Sequence, residues 1–282
     1  MQLNNPKAKR IILRSILLIF LFAYSFITIG PLLWAFFMSF RYTNEILNQP
    51  YGLPIPPVFY NYIRVVTEYG FINYFRNSVI ATGLALLIST PVAAMAAYGF
   101  SRLRYEFTLR EALFLLIFVS IMFPPQITLI SLYIMLWQYK LLNLFGLSIV
   151  YAATALPITI YLLRAFFAQI PSEIEDSARI DGANDWQIFW RIMFPIARPA
   201  LATVIILNAL SFWNEYLYAV TLIVKDQWRT LPLGVMRMMG DSYVDYGALS
   251  ATLIISMAPI VILYLFLSDW FIRGMTAGAI KG

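Results

Sequence analysis

Residues 171–187 read PSEIEDSARIDGANDWQ and place six charged side chains within seventeen residues. The chain around this stretch has the opposite character, because 61% of its 282 residues are hydrophobic and only 12% are charged. Long apolar runs flank the stretch on both sides. A composition of this kind is incompatible with an ordinary water-facing surface, and it predicts an integral membrane protein.

Six apolar runs are long enough to cross a bilayer, whose hydrocarbon core of about 30 Å requires roughly 20 helical residues. The runs lack the in-out alternation of a barrel strand, so we expect helices and an all-α fold class. The first run is too long for a signal peptide and no cleavage site follows it, so we interpret it as a retained span. The predicted spans of this single domain, residues 1–282, are residues 11–40, 77–98, 111–137, 147–167, 199–224 and 248–271.

The residue types present exclude several kinds of chemistry. The chain has no Cys and no His, so disulfides, thiolate metal sites and His-based catalysis are not expected, and we predict neither an enzyme nor a metal site. A net charge of +6 is compatible with nucleic-acid binding. The basic residues, however, lie at the ends of apolar runs, as membrane topology requires, so no nucleic-acid partner is expected.

The distribution of Lys and Arg predicts the orientation in the membrane. If the N-terminus is cytoplasmic, thirteen of the twenty basic residues lie on the cytoplasmic side and seven on the outer side. Both termini are then cytoplasmic. The charged stretch, between the fourth and fifth spans, becomes a cytoplasmic loop over residues 171–195.

This loop has the local signals of two short helices. Ser172 and Glu175 have the spacing of a capping box, and Gly182 supplies a left-handed position that ends the first helix. Asn184 and Gln187 have the spacing of a second capping box. Two capped helices are more structure than a linker needs, which favours a docking surface for a soluble partner. A solvated connector is the alternative interpretation.

Polar residues inside the fifth span indicate a possible path for a solute. Asn208, Ser211 and Glu215 are spaced i, i+3 and i+7, which places them on one face of a helix, and a carboxylate in a bilayer is expected to face a cavity or a polar partner. We add the neighbouring Trp213 and Asn214 to this candidate substrate path. The alternative is that these side chains form hydrogen bonds between helices. Pro124 and Pro125 interrupt the third span and predict a packing kink there, with a cavity-lining break as the alternative.

The loop residues also resemble a known motif. They are similar to the E-A-A-x3-G-x9-I-x-L-P loop of permease subunits of bacterial ATP-binding-cassette importers, in the carbohydrate-uptake branch that includes the smaller maltose permease subunit. The matching residues are Asp176, Ser177, Ala178, Gly182, Ile192, Phe194 and Pro195. Further similar stretches are NSVIATG (77–83), AAYGFSRLR (96–104), LISLYIMLWQYKLLN (129–143), FWNEYL (212–217) and GMTAGAIKG (274–282). Asp176 stands where the family usually has Glu, and Ser177 where it usually has Ala.

The resemblance implies a type I importer permease fold with six spans, in the plasma membrane of a bacterium or archaeon. It implies a second permease subunit, a dimer of ATPase subunits, an external solute-binding protein and a sugar as substrate. ATP is bound by the partner ATPase, and this chain contains no G-x-x-x-x-G-K-[ST] phosphate loop. The charged loop would be the coupling helix. Its implied ATPase-coupling residues are Glu173, Asp176, Ser177, Ala178, Asp181, Gly182, Ile192 and Pro195.

Three other functions remain open at this point. An importer of glycerol phosphate or a polyol has the same architecture. A secondary transporter driven by an ion gradient is expected to have paired intramembrane charges, whereas Glu215 is nearly alone in its span. A structural or receptor membrane protein would not need the capped cytoplasmic loop.

Overall fold

The computed structural model describes residues 6–102, 107–240 and 243–279, and every regular element in these ranges is helical. The α-helices are α1 (Pro6–Met38), α2 (Thr43–Asn48), α3 (Tyr60–Thr67), α4 (Phe71–Arg102), α5 (Phe107–Val119), α6 (Pro125–Gln138), α7 (Leu144–Phe167), α8 (Glu173–Ile180), α9 (Asp185–Ile188), α10 (Phe194–Ile196), α11 (Arg198–Trp213), α12 (Leu217–Leu222), α13 (Leu231–Gly240) and α14 (Tyr246–Ala279). Two 3-10 turns, Ser120–Met122 and Asp226–Trp228, and a π-helical segment, Phe189–Met193, complete the set.

Helix length and apolarity agree with the predicted all-α membrane class. Four helices, α1, α4, α7 and α14, are long and apolar enough to cross a bilayer by themselves. Two bent helix pairs bring the number to as many as six if each pair is one span. Arg104 and Lys281, which contribute to the predicted orientation, lie outside the described residues, as do parts of the matching stretches at 96–104 and 274–282.

The third apolar run turns sharply instead of kinking. Helices α5 and α6 meet at a bend of 99°, with the 3-10 turn Ser120–Met122 and an extended Phe123 between them. Pro124 has no backbone N–H to continue a helix, and Pro125 occupies the first turn of α6, where a missing N–H costs nothing. The predicted packing kink is thus a sharp break between two helices, and Pro125 at this break lines a cavity, which agrees with the alternative interpretation.

The fifth apolar run is also interrupted, whereas the sequence predicted one continuous span over residues 199–224. Helix α11 ends at Trp213, and α12 begins at Leu217. The Glu215 carboxylate explains the break, because it accepts hydrogen bonds from the backbone N–H groups of Tyr218 at 2.9 Å and Ala219 at 3.1 Å. These N–H groups belong to the first turn of α12 and have no partner within the helix.

The chain divides into two compact units, of which the first comprises residues 1–70 and 237–256. Its polar centre is Asp245, which precedes α14. One carboxylate oxygen accepts hydrogen bonds from the Thr43 hydroxyl at 2.7 Å and from the Ala248 N–H at 3.0 Å, and the other pairs with the Arg64 guanidinium. Burial by itself would raise the pKa of Asp245, but the hydrogen bonds from Ala248 and Thr43 and the charge of Arg64 outweigh it, so the pKa is lowered.

Replacing Asp245 with Asn is expected to lower the stability of the detergent-solubilised protein at neutral pH by about 2 kcal/mol, because hydrogen bonds to a charged group are lost. A carboxyl with a depressed folded pKa stabilises the protein fully above its ordinary pKa of 3.8, and this contribution is lost as the pH falls through the folded value. Thermal unfolding between pH 7 and pH 3 should therefore show a steeper acid loss in the unmodified protein than in Asp245→Asn.

The matched control for this prediction is Glu68→Gln. Glu68 also pairs with Arg64, at 2.8 Å, but its side chain is half exposed, and exposed pairs contribute little. Equal acid sensitivity in the unmodified protein and Asp245→Asn would contradict the assignment.

The second unit comprises residues 71–236 and 257–282. Its central contact is α4 against α7, made close by small side chains. The fully or almost fully buried small residues of α4 are Ala81, Ala85, Ser89, Ala93, Ala94 and Ala97. Small residues let the backbones of membrane helices approach closely. Van der Waals contact, rather than the hydrophobic effect, then drives their packing. Helix α11 packs on both α4 and α7, and this three-helix arrangement positions the cavity described below.

Candidate functional site

A cavity of about 430 Å³ lies among α7, α11 and α12 in the second unit, and Pro125 at the start of α6 also lines it. Its size is that of a small-molecule site. The surface of the wall is mostly apolar, but two tyrosines, two threonines and three further polar side chains converge on it. These are Tyr151, Thr154, Thr159, Asn208, Ser211, Glu215 and Tyr218.

The structure brings together the three residues of the predicted helical face. Asn208, Ser211 and Glu215 all line the cavity. The Asn208 side-chain amide donates a hydrogen bond to the Thr159 hydroxyl at 3.0 Å, so it joins α11 to α7 as well as facing the space. The Glu215 carboxylate is likewise engaged by two backbone N–H groups of α12. Both side chains are thus held in fixed positions at the wall.

The other two residues of the candidate path do not reach this cavity. Trp213 is buried against Phe75, with ring centroids 5.7 Å apart. Asn214 is exposed, and its amide donates to the Leu210 carbonyl at 2.9 Å. Helix α11 ends at Trp213, so the predicted helical spacing does not extend to Asn214 and Glu215. Within α11, at about 100° per residue, Trp213 lies roughly 140° around the helix from Asn208, which explains why it faces away from the cavity.

Most of the remaining polar residues in the cavity wall belong to α7, and the sequence did not predict them as part of the substrate path. Tyr151 is almost fully buried, stacks on Phe212 with ring centroids 5.5 Å apart, and lines the cavity. Thr154 and Thr159 were the available signal, since hydroxyls interrupt an otherwise apolar run. Thr hydroxyls in helices often bond to the carbonyl three or four residues earlier, so this signal by itself does not distinguish a cavity from a satisfied hydroxyl.

The loop over residues 171–195 forms the two predicted short helices, with one correction. Gly182 has φ of +85° and ends α8 as expected. The capping box of Asn184 and Gln187 is confirmed, with bonds of 2.9 and 3.0 Å. The predicted box at Ser172 is wrong, because the Ser172 side chain makes no capping hydrogen bond. Glu175 faces the protein instead, since ion pairing with Arg102 replaces the bond to the Ser172 backbone.

One face of the loop is exposed and acidic. The exposed residues among those predicted for ATPase coupling are Glu173, Asp176, Ser177, Asp181 and Gly182, whereas Ala178 is buried beneath them. Arg179 crosses this face and pairs with Asp176 at 3.4 Å and with Asp185 at 3.1 Å. The hydrogen bond with Asp185 is the main cause that raises the pKa of Arg179. The exposed face therefore carries a net negative charge, and the ion pairs with Arg179 hold two of its carboxylates in place.

The end of the loop has an irregular helix. Residues Phe189–Met193 are π-helical. Ile192 packs, partly buried, against the apolar cluster beneath the loop, which includes Ala178, Phe189 and Met193, and Pro195 is also partly buried. Pro195 has no N–H to bond the carbonyl of Arg191, so a regular α-helical pattern cannot continue across it. The helical stretch Asp185–Ile196 then meets α11 at an angle of 74°. The loop and the cavity wall are thus joined by a bent helix.

Residues 89–277, which include the loop and the cavity, match the family described as binding-protein-dependent transport system inner membrane component. The chain belongs to this family. It is a permease, a multi-pass inner-membrane transport subunit, and not an enzyme. No group of three or more Asp or Glu residues suitable for a metal ion occurs in the part of the permease that the structure describes.

Individual relatives agree with the family match. The permease is 35% identical over 280 residues to the probable ABC transporter permease protein YurM of Bacillus subtilis, covering 99% of this chain and 92% of the relative. It is 36% identical over 248 residues to the diacetylchitobiose uptake system permease protein NgcG of Streptomyces coelicolor, covering 86% and 81%. A chain of a bacterial ABC transporter that imports the acidic polysaccharide alginate shares the fold, with a TM-score of 0.80, 24% identity and coverage of 96% and 100%.

Proposed function

We propose that this permease forms half of the translocation path for a sugar or oligosaccharide and couples that path to a separate ATPase. The observation that supports this function best is the cavity among α7, α11 and α12. It combines an amide, a carboxylate and hydroxyls with the rings of Tyr151 and Tyr218. Such groups together suit a saccharide, which presents hydroxyls at its edge and apolar C–H faces to aromatic rings. The diacetylchitobiose-uptake relative points to the same substrate class.

The charge of the cavity argues against the glycerol phosphate alternative. Among the described residues that line it, Glu215 is the only charged one. A phosphate would meet a carboxylate and no guanidinium or ammonium group, which is unfavourable in a low-dielectric wall. A polyol lacks that charge and also lacks the broad apolar face of a sugar ring, so it would gain less from the tyrosines.

The test is uptake into vesicles that contain the permease with its partner permease, ATPase and solute-binding protein. Radiolabelled diacetylchitobiose, maltose-type oligosaccharides, a polyol and glycerol phosphate are offered separately, with and without ATP. ATP-dependent uptake of a saccharide supports the proposal. Uptake that persists without the ATPase and collapses with the ion gradient would overturn it in favour of a secondary transporter.

Glu215→Gln is expected to reduce uptake of the best saccharide about tenfold, because a hydrogen bond between a charged acceptor and a sugar hydroxyl weakens. Tyr218 and Ala219 donate to different oxygens of Glu215, so Gln keeps the shape and one of these two hydrogen bonds. Membrane level and assembly should therefore stay close to normal in this variant. Initial uptake rates and co-purification of the partner subunits measure the two effects.

Glu215→Ala is the companion variant, since it removes both the charge and the cap of α12, which costs about 1 kcal/mol. Normal uptake by Glu215→Gln together with poor assembly of Glu215→Ala would show that this carboxylate only secures the break between α11 and α12.

We further propose that the loop over residues 171–195 docks into the ATPase, with both termini of the permease on the same cytoplasmic side. The exposed acidic face of α8 supports docking to a basic cleft. The family description requires a binding protein, and we assign it to the outer face, opposite the loop. A second permease subunit would complete the translocation path, and the two ATPase subunits would each meet one permease.

The topology is tested with single cysteines, because the natural chain has none. A Cys at Asp185 should be protected from a membrane-impermeant maleimide in intact cells, whereas a Cys at Lys225 should react. The expected asymmetry follows from the excess of basic residues on the cytoplasmic side. Labelling of Asp185→Cys from outside would reverse the assignment of sides.

A further inference from the structure

A buried carboxylate connects the cytoplasmic loop to the helix beneath it. Glu175, in the first turn of α8, is 3% exposed. Its carboxylate lies 3.2 Å from the Arg102 guanidinium at the end of α4, and it accepts a hydrogen bond from the Tyr98 hydroxyl at 3.3 Å. Arg179 of α8 approaches it at 3.7 Å. Glu175 faces inward, opposite to the exposed acidic face that is proposed to meet the ATPase.

The same Arg102 guanidinium also holds the end of α7. One of its terminal nitrogens donates hydrogen bonds to the carbonyls of Phe167, at 2.6 Å, and Ile170. Carbonyls at a helix C-terminus have no partner within the helix, and a guanidinium there satisfies them and favours the helix dipole. Arg102 therefore joins three elements: the loop helix α8, the end of α4 and the end of α7.

Helix α7 continues from this junction to the cavity. Thr154 lines the cavity thirteen residues before Phe167, a distance of about 20 Å along the helix axis. Movement of α8 by a partner would be delivered to α7 through Glu175 and Arg102, because the Glu175 side chain is buried and that of Arg102 is largely buried between the two helices. The apolar cluster beneath the loop, which includes Ala178, Phe189 and Met193, supplies the packing but no directional connection.

We propose that Glu175 and Arg102 are positioning residues that transmit movement of the cytoplasmic loop to the cavity wall on α7. This inference rests on the proposed function of the permease. A buried ion pair is weak evidence for stability, since apolar residues of similar volume often stabilise a fold at least as well. Its position, between one loop helix and the ends of two spans, is better explained by a role in coupling.

The test uses a Thr154→Cys reporter in the otherwise Cys-free permease, assembled with its partner permease, ATPase and binding protein in lipid nanodiscs. The rate of reaction with a water-soluble maleimide is measured without nucleotide and with ATP and vanadate. Glu175→Gln removes the charge with little change of shape, and Glu175→Asp restores the charge. Glu111→Gln is the matched control, because Glu111 pairs with Arg164 between α5 and α7 without touching the loop.

In Glu175→Gln the nucleotide-dependent change of labelling rate should shrink about tenfold, the size of a typical coupling between sites. ATP hydrolysis and ATPase co-purification should stay close to those of the unmodified complex, Glu175→Asp should recover part of the response, and Glu111→Gln should keep all of it. An unchanged response in Glu175→Gln, or a response lost together with the bound ATPase, would overturn the inference. No nucleotide response in the unmodified complex would instead overturn the proposed function and the inference with it.

Discussion

A Gly182→Val variant is expected to reach the membrane at the normal level but to lose ATP-driven uptake and ATPase co-purification. Gly182 has φ of +85°, and a β-branched residue there costs about 1 to 2 kcal/mol or changes the backbone to negative φ. A Cβ at this position would meet no atom within 4 Å. The effect would therefore come from the backbone, which sets the direction of α9 relative to α8, and not from crowding.

The Gly182→Asn variant tests whether the backbone conformation, and not the added side chain, is the cause of the loss. Asn tolerates the left-handed region far better than Val, so Gly182→Asn should retain most uptake although its side chain is as large. Uptake, ATPase retention and membrane level are measured for both variants in parallel. Full uptake with normal ATPase retention in Gly182→Val would show that the loop is only a solvated connector.

Gly146→Ala is expected to have the largest effect on stability. Gly146 lies in the first turn of α7, and a Cβ built there would be 1.9 Å from the backbone carbonyl oxygen of Leu141. Neither atom can move alone, because the Asn143 side chain caps α7 with hydrogen bonds to Phe145 and Gly146 at 3.0 and 3.1 Å. We expect a loss of about 3 kcal/mol, the upper end of the cost of overpacking, and a large drop in the thermal midpoint in detergent.

The matched control is Gly83→Ala in the middle of α4. A Cβ at Gly83 would meet nothing within 4 Å, and Ala has a higher helix propensity than Gly by up to about 1 kcal/mol. Gly83→Ala should therefore be neutral or slightly stabilising. If Gly146→Ala were equally stable, the turn between α6 and α7 would be able to open without cost, and the close approach of Leu141 would have no structural importance.

The sequence predicted the membrane class well and the interior of two spans poorly. Apolar length depends only on composition and is readable along the chain, so α1, α4, α7 and α14 were expected near their observed positions. The break at Pro124 was anticipated, but its 99° bend was not. The break after Trp213 was missed, because it depends on the Glu215 carboxylate reaching the N–H groups of a second helix. Hydropathy does not distinguish a continuous span from two apolar helices.

For the loop, local chemistry was reliable only where the partners are local. Gly182 and the Asn184 and Gln187 pair behave as expected, since backbone conformation and capping are settled within four residues. Ser172 and Glu175 have the same spacing as that pair, yet their box does not form. Glu175 has a stronger partner in Arg102, more than seventy positions earlier in the chain.

The sequence by itself determined that this is a helical membrane protein, that residues 171–195 form a structured polar loop, and that the protein resembles importer permeases. These features follow from composition, from turn chemistry and from a motif, all of which are local. Only the tertiary structure decided which polar groups meet: Asn208 with Thr159 at the cavity, and Glu175 with Arg102 beneath the loop. Inside an apolar protein a polar group must find a partner, and which partner it finds depends on how the helices pack.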